Sequence, residues 1–191
     1  MGKIVVFNHL TLDGVMQAPA GPDEDRRGGF AHGGWAAPRM DPAMAGAVGE
    51  GNWEFLFGRR TYEEFAGFWP HQPDENPFAA ALNNGRKHVA SRTLRAPLAW
   101  RNSTLLKGDA AEAAAGLKEQ GKELLVFGSG ELVQSLLRRN LVDVFVLMTH
   151  PLVLGTGRRL FVDGGAPATL QLVDAKPTAT GVVIATYRPV P

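Results

Sequence analysis

Short apolar runs, each closed by glycine, proline or a hydroxyl residue, recur along the whole chain. Residues 3–10 read as a central strand that ends before Thr11-Leu12-Asp13-Gly14. Trp53 through Phe57 predict a second strand, with a helix beginning near Thr61. Lys87-His88-Val89-Ala90 gives a third, followed by a turn or helix start at Ser91-Arg92-Thr93-Leu94, and Thr104-Leu105-Leu106 a brief fourth. The alanine-rich segment 110–117 predicts a helix. Leu124 through Phe127 predict another strand, and Leu132, Leu136 and Leu137 form an apolar stripe on the helix after it. Strand and helix signals alternate, which favours a layered α/β fold with a largely parallel sheet.

The end of the chain changes character. Val142 through Met148 predict a strand, then Pro151 and Gly155-Thr156-Gly157 interrupt regular structure. Residues 170–174 and 182–187 pair best as an antiparallel hairpin, so the sheet is expected to be mixed at one end. Between Met16 and Arg39 lies a stretch rich in glycine, proline and charge, interrupted by Phe30 and Trp35. It reads as a functional loop, with disorder as the alternative. Asp41-Pro42 predicts the start of a helix, with Met44, Ala47 and Val48 on its inward face.

At 191 residues the chain can build one full hydrophobic core, and a single domain over 1–191 is expected. A net charge of +1 gives no broad basic surface, so nucleic acid is not an expected partner. With no cysteine, disulfides, thiolate metal sites and a cysteine nucleophile are excluded. No apolar run approaches the roughly 20 residues that span a bilayer, and the first apolar run reads as a strand rather than a signal peptide. No membrane association and cytoplasmic residence are the expectations that follow.

Two strand-to-helix junctions carry the chemistry. In Gly128-Ser129-Gly130-Glu131-Leu132, the glycines permit tight backbone geometry that leaves amides for a pyrophosphate, and Ser129 adds a hydroxyl. In Gly58-Arg59-Arg60-Thr61, Arg59 can donate directed bonds to a phosphate while Thr61 caps the helix and faces the same ligand. Ser91 and Arg92 supply a further hydroxyl–guanidinium pair suited to the phosphate near an adenosine ribose. Each has a structural alternative: a close-packed helix entry, a local cap and a solvated loop.

Asp13 and Asp41 are the acids to weigh, for substrate positioning or proton routing against a turn contact and a helix cap respectively. The five histidines show no metal-ligand spacing and read as structural or surface residues. Ser129 lies outside a G-x-S-x-G elbow. Trp35, Trp53, Phe65, Phe68 and Trp69 either wall a cleft for a planar ligand or pack the core.

In their order along the chain, Leu12-Asp13-Gly14, Gly58-Arg59-Arg60-Thr61-Tyr62, Ser91-Arg92-Thr93-Leu94, Gly128 through Leu132 and Pro151 through Phe161 resemble the bacterial dihydrofolate reductase-like family that includes the riboflavin-biosynthesis reductase domain. The resemblance covers nearly the whole chain. It implies a three-layer dihydrofolate reductase-like α/β fold around a central twisted, mostly parallel mixed sheet, with a cleft for NADPH. It further implies that Gly58, Arg59 and Thr61 contact cofactor phosphates and that Ser91 and Arg92 approach the adenosine phosphate. Gly128, Ser129, Gly130, Glu131 and Leu132 would hold the pyrophosphate, and Asp41 would correspond to the substrate-binding acid. A homodimer is expected by comparison with related proteins. The chain has neither the length nor the cysteines for the zinc deaminase domain that often accompanies this reductase. An NADPH-dependent reductase of a small planar or carbonyl- or imine-containing metabolite is the leading expectation. The alternative is a non-catalytic nucleotide- or metabolite-binding protein on the same scaffold.

Overall fold

The continuous apolar runs become the inner strands of a sheet because parallel strands are covered on both faces. The computed structural model describes residues 1–49, 51–73 and 75–190. Its strands are β1 (Lys3–Thr11), β2 (Glu54–Gly58), β3 (Lys87–Ala90), β4 (Ser103–Leu105), β5 (Glu123–Phe127), β6 (Val144–His150), β7 (Leu170–Pro177) and β8 (Val183–Pro189). They lie in the order β4-β3-β2-β5-β1-β6-β8-β7. The helices are α1 (Arg59–Phe68), α2 (Pro77–Asn84), α3 (Ala110–Glu119) and α4 (Gly130–Leu137). This is the expected three-layer α/β fold around a central mixed sheet.

Two compact units divide the chain: Met1–Val5 with Gly51–Val142, and Val6–Glu50 with Asp143–Pro191. In the first, β2 runs parallel to both β3 and β5, and β3 parallel to β4. Phe55, Leu56 and Phe57 of β2 and Leu124 through Phe127 of β5 are buried. Each such side chain contributes about 1.5–3 kcal/mol by leaving water. Phe57 stacks on Trp100 at 6.2 Å, and Phe65 packs on Phe57 and Phe127. Of the aromatic residues weighed as a cleft wall in this unit, Phe65 and Trp69 also pack on each other and Trp69 on Phe78, while Phe68 stays 53% exposed.

Helix α2 is a feature that the apolar pattern did not mark. Its signal is chemical: Asn76 accepts from the amides of Phe78 and Ala79, and Pro77 occupies the first turn. At its other end the fully buried Lys87 donates to the carbonyls of Leu82 (2.6 Å) and Gly85 (2.8 Å). The same ammonium lies 4.5 Å from the Trp100 ring centroid.

In the second unit β8 pairs antiparallel with both β6 and β7, and the β7–β8 ladder shifts register between Leu172 and Asp174. This is the hairpin expected at the end of the chain. The stretch from Met16 to Arg39 buries Ala18, Phe30, Trp35 and Ala36 in a cluster with Val15, against which Leu152 and Leu154 pack. The helix expected after Asp41 shrinks to a single 3-10 turn, Pro42–Met44. Gly46 and Gly49 follow at once, and glycine costs about 1 kcal/mol in a helix interior. Met44 alone of the three expected inward residues is fully buried.

Candidate functional site

Three neighbouring strands of the first unit end level with one another. Gly58 of β2 sits opposite Ala90 of β3, and Leu56 opposite Val126 of β5, so both junctions and the Ser91 turn leave the sheet at one end. The ladder, rather than any single motif, brings Gly58-Arg59-Thr61, Ser91-Arg92 and Gly128 through Leu132 together.

Ser129 links the two junctions. Its Oγ accepts from the Gly58 amide at 2.9 Å and donates to Thr61 Oγ1 at 3.0 Å. Ser129 holds φ 56° and ψ 46°, a left-handed conformation rare outside glycine, and Gly128 before it has φ 53°. Neither α1 nor α4 receives a side-chain cap, whereas α2 and α3 are capped by Asn76 and Asp109. The first-turn amides of α1 and α4 therefore form two neighbouring positive helix ends.

The guanidiniums differ in their engagement. Arg59 pairs with Glu63 at 2.8 Å along α1, and Arg60 reaches Glu131 of α4 at 3.8 Å. Arg92 is exposed and makes no interaction with the described residues. Ser91 Oγ accepts from the amides of Thr93 and Leu94, which fixes the turn that carries Arg92. Amides at two helix ends, hydroxyls and arginines form a donor-rich set whose chemistry fits a phosphorylated dinucleotide. Leu132 is buried, so its side chain serves packing while its backbone belongs to the first turn of α4.

Both candidate acids lie in the second unit, and each has a local task. Asp13 accepts from the Thr11 hydroxyl at 2.6 Å and from the amides of Leu154 (3.2 Å) and Gly155 (2.8 Å). These bonds, the Thr11 hydroxyl first, hold its carboxyl down at about 2. Arg159 Nε donates to the Asp13 carbonyl at 2.9 Å, so the end of β1 is tied to the segment 152–159 from both sides. Asp41 accepts from the Ala43 amide at 2.9 Å and caps the 3-10 turn. Met44 of that turn packs with Met148, Val182, Phe7 and Ile184. The turn also borders a recess of about 340 Å³ lined in part by Ala43, Ala47, Ile184 and Thr186.

A feature absent from the motif reading adjoins the same packing. Phe7 meets His9 edge-on at 6.1 Å, and His9 is hydrogen-bonded to His150 at 2.9 Å. The two histidines lie 141 residues apart in sequence, so no local spacing announced the pair. Among the described residues, no group of three or more His, Cys, Asp or Glu is placed to hold a metal ion. No helix among them is long and apolar enough to cross a membrane.

Comparison with known proteins places this geometry in a family. The model of the RibD C-terminal domain matches residues 2–184, and the chain belongs to that family. It is similar to the uncharacterized protein YyaP of Bacillus subtilis (strain 168), with 28% identity over 97% of this chain and 94% of YyaP. Among solved structures, a protein provisionally assigned to riboflavin biosynthesis in Shewanella sp. PV-4 shares 20% identity at a TM-score of 0.74, covering 99% of both chains. A pyrimidine reductase-like protein of Corynebacterium diphtheriae shares 10% identity at a TM-score of 0.62, covering 100% of this chain and 92% of its own. These two likenesses establish the fold.

Proposed function

We propose that this member of the RibD C-terminal domain family is an NADPH-dependent reductase of a small planar or carbonyl- or imine-containing metabolite. The observation that carries the reading is the pair of uncapped helix ends joined through Ser129. Gly58, Arg59, Thr61 and Gly128 through Leu132 would take the pyrophosphate there. Ser91 and the exposed Arg92, at the same end of the sheet, would take the adenosine phosphate. A bound nicotinamide supplies the hydride; the chain supplies orientation and exclusion of water.

Asp13 and Asp41 act, on this reading, in substrate placement. Asp13 is held ionised, so it would place the substrate through the end of β1 that it fixes rather than by giving a proton. Asp41 would present its outer carboxylate oxygen to a donor on the substrate. The chain would work as one domain over 1–191 and as a cytoplasmic homodimer. Support for self-association comes from the edge strand β7, where Leu172 and Val173 are about half exposed.

The test is NADPH oxidation, followed by its absorbance, with a panel of aromatic aldehydes, cyclic imines and pterins. Substrate-dependent oxidation supports the reductase. Tight NADPH binding with no oxidation across the panel would contradict turnover and favour a binding protein on the same scaffold.

A further inference from the structure

Within the second unit, a recess of about 260 Å³ lies between the segment at residues 27–30 and the turn at 156–158. Arg27, Phe30, Thr156, Gly157 and Arg158 line it in part, and no acidic side chain is among its described lining residues. One buried side chain braces both walls. Gln17, 4% exposed, donates from Nε2 to the carbonyls of Asp25 (3.1 Å) and Arg27 (3.0 Å). Its Oε1 accepts from the Arg158 amide at 2.9 Å. With both ends of its amide engaged, Gln17 holds the two segments against each other.

Packing sets the same spacing. A side-chain carbon at residue 157 would stand 2.7 Å from the Phe30 ring and 2.7 Å from Val15. Gly157 also has φ 111°, so the close approach of this turn requires glycine.

The walls present donors. Asp25 accepts from Arg27 Nε at 2.8 and 3.0 Å and also from Nη2, which sets the plane of the guanidinium. The Asp25 carboxylate offsets much of the Arg27 charge, and Arg158 adds a second guanidinium to the recess. The Thr156 hydroxyl and the consecutive amides of Thr156 and Gly157 bond to no described residue. Consecutive amides in a turn are suited to an anion.

We propose that this recess binds the phosphoryl group of a small metabolite, with Arg158, the Thr156 hydroxyl and the Thr156 and Gly157 amides as its donors. A phosphate monoester offers three terminal oxygens, enough for a guanidinium, a hydroxyl and amides approaching from different sides. A planar carboxylate offers two. The volume exceeds that of a bare phosphate yet falls below the roughly 300–1,000 Å³ of sites for drug-sized ligands, so the metabolite's body is small. The site goes beyond the reductase reading and does not depend on it. None of its residues belongs to the proposed cofactor set, and neither candidate acid lines it.

Titration of the full ¹⁵N-labelled chain with phenyl phosphate, followed through assigned amide resonances, tests the site. A constant ionic strength of about 0.15 M screens loose surface association. The amides of Thr156 and Gly157 should shift together and saturate with a Kd of about 1 mM or tighter. No saturation there, or saturation confined to Gly130 and its neighbours in the first unit, overturns the proposal. Inorganic phosphate and benzoate form the comparison arms. Benzoate binding as tightly as phenyl phosphate overturns the choice of a phosphoryl group. Inorganic phosphate binding where phenyl phosphate does not overturns the metabolite in favour of free phosphate.

Two variants assign the donors. Arg158→Gln keeps the backbone amide that bonds to Gln17 and should weaken phenyl phosphate about tenfold. Thr156→Val removes only the hydroxyl donor and should weaken it about threefold. The amide spectrum of each variant checks its fold, and should Arg158→Gln not fold, Thr156→Val decides alone. Unchanged affinity in the folded variants overturns the proposal. No cofactor enters these measurements, so they stand or fall apart from NADPH turnover.

Discussion

A methyl group at residue 128 would stand 3.1 Å from Thr61 Oγ1, closer than side chains ordinarily pack. Gly128 also holds φ 53°, where a side chain costs about 1–2 kcal/mol. Gly128→Ala should therefore lower stability by about 1–2 kcal/mol in urea denaturation. It should also weaken NADPH binding, because Thr61 must move from Ser129. A variant with unchanged stability and affinity would show that the close approach has no consequence for the junction.

On the proposed reading, the exposed guanidinium of Arg92 would distinguish the two nicotinamide cofactors. Arg92→Ala should weaken NADPH by about tenfold, or about 1.4 kcal/mol, the scale of a charge-assisted hydrogen bond. NADH, which lacks the adenosine phosphate, should bind almost as before. Equal losses for both, measured by fluorescence titration, would remove Arg92 from discrimination.

Lys87 links pH to stability in the alkaline range. Burial, and secondarily the charge of Arg101, lowers its pKa to about 8 from 10.5 in the unfolded chain. Between those values the unfolded chain binds more protons than the folded one, so this group raises stability as pH climbs from about 8 to 10.5. Lys87→Met should flatten that rise. At pH 7 it should also destabilise by about 1–3 kcal/mol, because the Leu82 and Gly85 carbonyls lose their donor. Urea denaturation midpoints across this range for both proteins give the comparison.

Asp13 acts at the acid end. Its folded pKa of about 2 lies below the unfolded 3.8, so its contribution is complete above about pH 4 and disappears as pH falls through about 2. Asp13→Asn should flatten this acid limb. It should also cost about 1 kcal/mol near neutrality, since an amide cannot accept from Thr11, Leu154 and Gly155 together. Thermal melts between pH 2 and 7 would show both effects, and an unaltered acid limb would contradict them.

The sheet was legible because Phe55 through Phe57 and Leu124 through Phe127 are unbroken apolar runs with glycine at their ends. The two strand-to-helix junctions were legible for the same reason, as glycine, hydroxyl and arginine directly follow those runs. Their meeting through Ser129 was not, since a contact across 71 residues depends on strand register. The short turn after Asp41 was misjudged as a longer helix: cap and proline were read correctly, while the glycines that stop it were underweighted. Helix α2 escaped notice because its start lies in the Asn76-Pro77 cap rather than in apolar periodicity. His9 and His150 looked structural one at a time; only the fold makes them a pair.

The central claim is that two neighbouring helix ends and the Ser91-Arg92 turn bind one reduced dinucleotide phosphate. Isothermal titration of the folded wild-type chain with NADPH, and in parallel with NADH, tests it most directly. The account predicts one saturable site per chain with NADPH bound more tightly than NADH. No heat of binding with either at millimolar concentration would contradict it.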